Sequence, residues 1–160
     1  MAFADTYYKM AGVEKEQKYF PILKNLFEKI GDRQFFQSNL QENREHKIDF
    51  YTISLSGKKV GFDLKTSSNP NKHFCLTYKM NGTDKNIFEV GMPNIITIFL
   101  LEHTNEFAFV YKNKIAEWFN MNTSKCYPCK TKDDNSTWFF FYTADVIKLA
   151  DKIVKIETIY

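Results

Sequence analysis

The stretch Ile48-Asp49-Phe50-Tyr51-Thr52-Ile53-Ser54-Leu55-Ser56-Gly57-Lys58-Lys59-Val60-Gly61-Phe62-Asp63-Leu64-Lys65 alternates in steps of two. Ile48 and Phe50 alternate with Asp49 and Tyr51. Beyond Ser56-Gly57-Lys58, the residues Val60, Phe62 and Leu64 alternate with Gly61, Asp63 and Lys65. Period two sends successive side chains to opposite faces of a strand, and glycine tolerates the positive φ of a short turn, so the segment is predicted to be a β-hairpin. A three-residue loop at Ser56-Gly57-Lys58 would pair Leu55 with Lys59 and, by continuation, Asp49 with Lys65 and Tyr51 with Asp63. Ile48, Phe50, Phe62 and Leu64 then supply a core face, while Asp49, Tyr51, Asp63 and Lys65 share the other.

Upstream of the hairpin the period changes. Val13, Glu16, Phe20, Leu23, Phe27 and Ile30 follow steps of three and four, which is one face of a helix ending near Gly31. Pro21 implies a kink or a fresh helix start inside that run. Glu16 is the one acid on this otherwise apolar face and needs a boundary position or a partner. Glu14 falls instead with Lys18 and Asn25 on a face read as solvated.

Downstream, residues 66–72 and 79–86 are rich in turn formers and lysine and read as loops around a short strand at His73–Tyr78. Ile95–Leu101 is nearly all apolar, as a strand covered on both faces would be, and Glu106–Tyr111 is its hairpin partner. Ile115–Asn120 reads as a short helix and Thr137–Tyr142 as a strand. Thr143-Ala-Asp145 is predicted to cap a last helix running to about Ile153. The polar run 41–47, with His46 in it, reads as a loop. The expected fold class is α/β, a mixed central β-sheet flanked by helices.

The 160 residues, 44% of them hydrophobic and 26% charged, suit a single soluble domain spanning 1–160. The longest apolar runs, 94–101 and 138–142, fall short of the ~20 residues a membrane-spanning helix needs, so no membrane partner is expected. Met1–Met10 lacks the pattern of a signal peptide, and three cysteines are an odd number for a disulfide framework. A cytoplasmic location with reduced thiols is the expectation, and the sequons at Asn81, Asn122 and Asn135 are then chance matches. A net charge of +3 permits an anionic partner but is far from the basic excess of a nucleic-acid coat.

Two acids and a lysine converging on one hairpin face, with Glu16 facing the sheet, are a donor set for a hard cation. Mg²⁺ takes oxygen ligands, commonly one or two carboxylates together with substrate phosphate and water. The joint pattern of helix glutamate, Asp49 on the first hairpin strand and Asp63-Leu64-Lys65 on the second resembles the PD-(D/E)XK nuclease superfamily over Val13 to Ser67. Ile48 stands where the family name has proline, and Asp63 where glutamate is commoner.

The resemblance implies a restriction-endonuclease-like fold, similar to small Holliday junction resolvases, and a Mg²⁺-dependent DNA endonuclease for which Mn²⁺ can substitute. It implies Asp49 and Asp63 as metal ligands, Leu64 as a backbone-carbonyl ligand, Glu16 as the helix acid that joins them at the metal, and Lys65 as the residue serving the attacking water. It also implies a homodimer able to cut two strands. No glutamine-tyrosine motif of the exonuclease branch follows, which favours an endonuclease.

Two alternatives stand beside this reading. One is a nuclease-fold module that binds nucleic acid or another subunit without cutting. The other is a zinc-stabilised interaction protein, in which Cys126 and Cys129 join His73 and Cys75. A redox role for Cys126-Tyr-Pro-Cys129 lacks the βαβ context such a pair needs. Arg44, Lys47, Lys58, Lys59, Lys72, Lys79 and Lys85 are candidate phosphate contacts, with solubility as the plainer role. Trp138–Tyr142 reads as core with one flank exposed.

Overall fold

In the computed structural model, residues 3–31, 33–79, 84–122, 129–130 and 136–159 are described. The first helix, α1 (Phe3–Lys29), is longer than its apolar run and passes through Pro21 as one element. The predicted face meets the sheet through Glu16, Phe20, Leu23 and Phe27 but not at its two ends. Tyr19 and Leu23 are buried, and Phe20, Leu26 and Phe27 pack beside them, whereas Val13 and Ile30 are exposed. Ile30, at the end of the helix, borders an open cavity with Phe62, Ile96 and Phe109, which leaves it partly in solvent.

Two elements were not anticipated. β1 (Arg33–Gln37) follows α1, and α2 (Leu40–His46) occupies the polar run that reads as a loop. A capping box holds α2: the Asn39 side chain accepts from the Glu42 backbone N–H at 2.8 Å, and the Glu42 carboxylate accepts from the Asn39 N–H at 3.2 Å. The helix buries none of its residues, so periodicity left no trace of it.

β2 (Phe50–Ser54) and β3 (Lys59–Lys65) form the predicted hairpin. Its register is two residues from the expected one: Tyr51 pairs with Gly61 and Ile53 with Lys59. The three-residue loop is Leu55-Ser56-Gly57, closed by the Ser54 N–H bond to the Lys58 carbonyl at 3.0 Å. Gly57 takes the positive φ of 83° at the third loop position, where such loops need it. Because the error is an even number of residues, every side chain of the two strands keeps its face.

β4 (His73–Lys79), β5 (Ile96–Leu101), β6 (Glu106–Tyr111), α3 (Lys112–Met121), β7 (Cys129–Lys130) and β8 (Thr137–Tyr142) follow. The predicted last helix is only α4 (Thr143–Leu149), after which β9 (Lys152–Lys155) and a short 3₁₀ turn (Ile156–Thr158) end the described chain. Thr143 does not cap α4, since its hydroxyl donates to the Pro70 carbonyl at 2.8 Å. The helix yields to a strand because β6 has an open edge, and residues 152–155 pair along it. An unpaired edge of backbone donors and acceptors is better satisfied by a strand than by more helix.

The larger sheet is mixed in direction, as predicted, but a second, wholly antiparallel sheet accompanies it where a single central sheet was expected, because β4 leaves β3 to pair with β8. The larger has the order β1-β2-β3-β5-β6-β9, parallel only between β3 and β5, and the smaller has the order β4-β8-β7. The crossover from β3 to β5 therefore runs through a strand of the second sheet, where a helix is the usual connection. One core joins α1 to Phe35, Phe50, Phe62, Leu64, Ile98, Leu100 and Phe107. The other lies between the opposite face of the large sheet, the small sheet and α3, around Phe74, Phe99, Trp118, Phe139 and Phe141. No helix among the described residues is long and apolar enough to cross a membrane.

Candidate active site

Strand alternation divides β3 between the two cores. Phe62 and Leu64 enter the α1 core, so Asp63 and Lys65 must project from the other face, beside Thr97 of the parallel neighbour β5. The Lys65 Nζ lies 3.1 Å from Asp63 Oδ2, with both side chains partly exposed. Gly61 precedes them on the same face because no side chain fits there. An added Cβ would stand 2.5 Å from Ile48 Cγ2 and 2.6 Å from the Met92 sulfur. Ile48 is buried as predicted, but against Gly61 and away from the Phe50 cluster it was expected to join.

Asp49 sits just before β2, its N–H donating to the Phe62 carbonyl at 2.7 Å. Its carboxyl is almost fully buried and held from two sides. Oδ2 accepts from the Leu64 N–H at 2.8 Å, and Oδ1 accepts from Asn43 Nδ2 of α2 at 2.8 Å. Glu16 approaches from α1 and shares a side-chain hydrogen bond with Asp49. The four predicted side chains are thus brought together from α1, the start of β2 and β3. Tyr51 does not join them, being stacked on Phe36 at 5.1 Å with the Lys59 ammonium 4.3 Å from its ring centre.

The electrostatics follow from three acids in a small, partly dry space. Burial, then the charges of Asp63 and Glu16, push the Asp49 carboxyl up to about 9. Burial also raises Glu16, which the hydrogen bond to Asp49 partly offsets. Burial and the neighbouring acids thus favour the protonated form of Asp49, hydrogen-bonded to Glu16. For Lys65, burial alone would lower the amine, but Asp63, Asp49 and Glu16 outweigh it and hold it above the usual lysine range. Lys65 stands as a cation.

Among the described residues no three His, Cys, Asp or Glu side chains already form a metal-holding group. Asp49 and Asp63, with the Leu64 carbonyl and water, are a two-carboxylate oxygen set of the kind Mg²⁺ accepts. A buried acid cluster that must keep a proton to coexist is chemically suited to exchange that proton for a cation.

Sequence reading missed two residues here. Asn43 orients Asp49, and the pattern Asn39-x-x-Glu42 was the available sign of its helix. Lys112, the first residue of α3, lines the same small cleft as Asp63, Lys65 and Thr97, and no sequence pattern marks it. Of the other candidates, Glu14, His46, Arg44, Lys58 and Lys72 are exposed, and Lys59 is paired with Glu42 at 2.9 Å. In β8, Phe139 and Phe141 are core, while Phe140 and Tyr142 face outward, as read. His73 packs its ring on Phe140 at 4.3 Å. Cys126 and the Cys129 side chain, on which the zinc alternative depends, lie outside the described residues, as do the sequons' Asn81 and Asn135.

No family model matches the sequence, and no curated protein matches it either.

Proposed function

We propose that the chain is a Mg²⁺-dependent endonuclease with a restriction-endonuclease-like core, hydrolysing phosphodiester bonds in DNA. The observation that carries this reading is the convergence of Glu16, Asp49, Asp63 and Lys65 at one end of β3, on side chains that the fold does not use as core. Asp49, Asp63 and the Leu64 carbonyl would hold the ion, with Glu16 next to them. When bound, Mg²⁺ supplies Lewis-acid stabilisation of charge on phosphorus-bound oxygen and favours in-line attack by water; Mn²⁺ can take its place.

The remaining roles belong to the chain. Asn43 and the Leu64 N–H fix the Asp49 carboxyl so that it need not reorganise on binding. Lys65, held protonated by three acids, is better suited to neutralising the phosphorane than to removing a proton from water. Glu16 shares the Asp49 proton and is the group placed to accept it. Two active sites in a homodimer would allow both strands of a duplex or junction to be cut, with location in the cytoplasm.

One observation favours a second reading, a DNA-binding module that does not cut: Lys65 occupies an Asp63 oxygen, at 3.1 Å. Cleavage decides between them. Supercoiled plasmid, linear duplex, a four-way junction and single-stranded DNA should be incubated with Mg²⁺ or Mn²⁺, using wild type and Asp63→Ala. Metal-dependent cutting that falls by about a thousandfold or more in a variant with unchanged circular dichroism supports the enzyme. Binding without cutting in the wild type selects the module. Neither binding nor cutting overturns both.

A further inference from the structure

Lys112 joins two cavities. One is the small cleft between the sheets, bounded by Asp63, Lys65 and Thr97. The other is a half-open cavity of about 290 Å³ between the 88–95 segment and the start of α3, with Lys112 in its wall as well. The backbone fixes its place in the fold. The Lys112 N–H donates to the Ile95 carbonyl at 2.9 Å, which ties the head of α3 to the start of β5. The 88–95 wall is fixed too: the Met92 N–H donates to the His46 carbonyl at 3.1 Å, and Gly91, at φ 87°, lies so close that a Cβ would meet the same oxygen at 2.7 Å.

The Lys112 ammonium itself is weakly committed. It reaches the Val90 carbonyl at 3.4 Å, and among the described residues no carboxylate lies within ion-pair distance of it. Glu89, the acid in the larger cavity's wall, accepts instead from the Asn86 N–H at 3.1 Å. Burial lowers the Lys112 amine, and Lys65 and Lys47 add to this while Asp63 opposes it. Asp63, the strongest charge acting on it, is itself paired with Lys65 and lies beyond ion-pair distance of Lys112, so this half-buried ammonium can take a further anion.

We infer that Lys112 is a substrate-binding residue that seats a phosphodiester group next to the scissile one, leading the strand from the acid cluster into the 88–95 cavity. This rests on the nuclease reading above. The chemistry is a point-charge contact to a backbone phosphate, which carries affinity and strand position and no base preference. It differs from Lys65, whose ammonium is already engaged by Asp63.

The test measures binding of a fluorescent linear duplex and a four-way junction in Ca²⁺, across a series of salt concentrations, for wild type, Lys112→Ala, Lys112→Arg and Asp63→Asn, with cleavage kinetics in Mg²⁺ alongside. Lys112→Ala should weaken binding about tenfold on both probes and reduce the salt slope by about one, raising KM far more than it lowers kcat. Lys112→Arg should restore most of the affinity, which a merely structural lysine gives no reason to expect. If the wild type binds and cuts while Lys112→Ala matches it in affinity and salt slope, this inference fails and the nuclease reading stands. A misfolded alanine variant is recognised from its melting curve, and an arginine variant that is folded but still tenfold weaker also overturns the assignment. If the wild type neither binds nor cuts, the reading fails and this inference with it.

Discussion

The two faces of β3 differ in what the rest of the fold does to them. On one, Phe62 and Leu64 meet α1 and a run of phenylalanines: Phe27 lies 4.7 Å from Phe62 ring to ring, and Phe35 and Phe50 follow. On the other, the second sheet and α3 cover Phe99 and Leu101 of β5, and their Leu76, Phe139 and Ile115 face Asp63, Lys65 and Thr97 across a small cleft. The same strand therefore serves as core on one side and, on the other, as the wall of a small cleft that holds Asp63 and Lys65. The difference teaches that a reactive cluster needs a rigid back. Asp63 and Lys65 hold their positions because their sequence neighbours are locked in an aromatic core.

The largest effect should come from breaking that back. Phe62→Ala removes a ring that is 1% exposed and should cost about 3–5 kcal/mol of stability, measured by urea unfolding. A cost below about 1 kcal/mol would mean that the α1 face is not the stable half. Next comes the gap on the cleft face. Gly61→Ala should cost about 1–3 kcal/mol, because its methyl would enter the space held by Ile48 and Met92. Pairing it with Ile48→Ala, which opens that space, should reduce the added cost of the alanine. Full additivity in a double-mutant cycle would show that the contact does not set the fit.

The last effect is electrostatic and concerns the metal-free chain. The folded Asp49 carboxyl is raised to about 9, while an unfolded aspartate titrates near 4, so folding takes up a proton between these values. Stability contributed by this group must then fall as pH rises through that window and level off above it. Melting curves at about pH 5 and pH 8 should show a larger loss in wild type than in Asp49→Asn, with Mg²⁺ omitted. Equal losses would mean that the cleft leaves Asp49 in ordinary solvent, and the contrast between the two faces would be weaker than the geometry implies.

Much of this was legible beforehand. The period-two run announced the hairpin and its apolar face. The period of three and four placed Glu16 on the helix side that meets the sheet. What misled was local: loop residues Ser56-Gly57-Lys58 and Leu55-Ser56-Gly57 are both plausible, and only the αL demand at the last position chooses between them. α2 was hidden because it buries nothing, and β9 because its strand state depends on an edge left open by β6. Asn43 and Lys112 were hidden for a third reason, since neither has a sequence neighbour in the site it serves.

By itself, then, the chain's order of residues determined which side chains of β3 turn inward and which remain for chemistry, since alternation is a property of the extended backbone alone. It likewise determined that an acid would ride on the helix facing the sheet. Tertiary structure decided the rest: that Asp49 is buried and proton-sharing, that Lys65 is held charged by three acids, and that Lys112 enters the same cleft. Desolvation and charge proximity depend on which elements pack together: α1 and α2 bring Glu16 and Asn43 to Asp49, while β3, β5 and α3 line the cleft beside it.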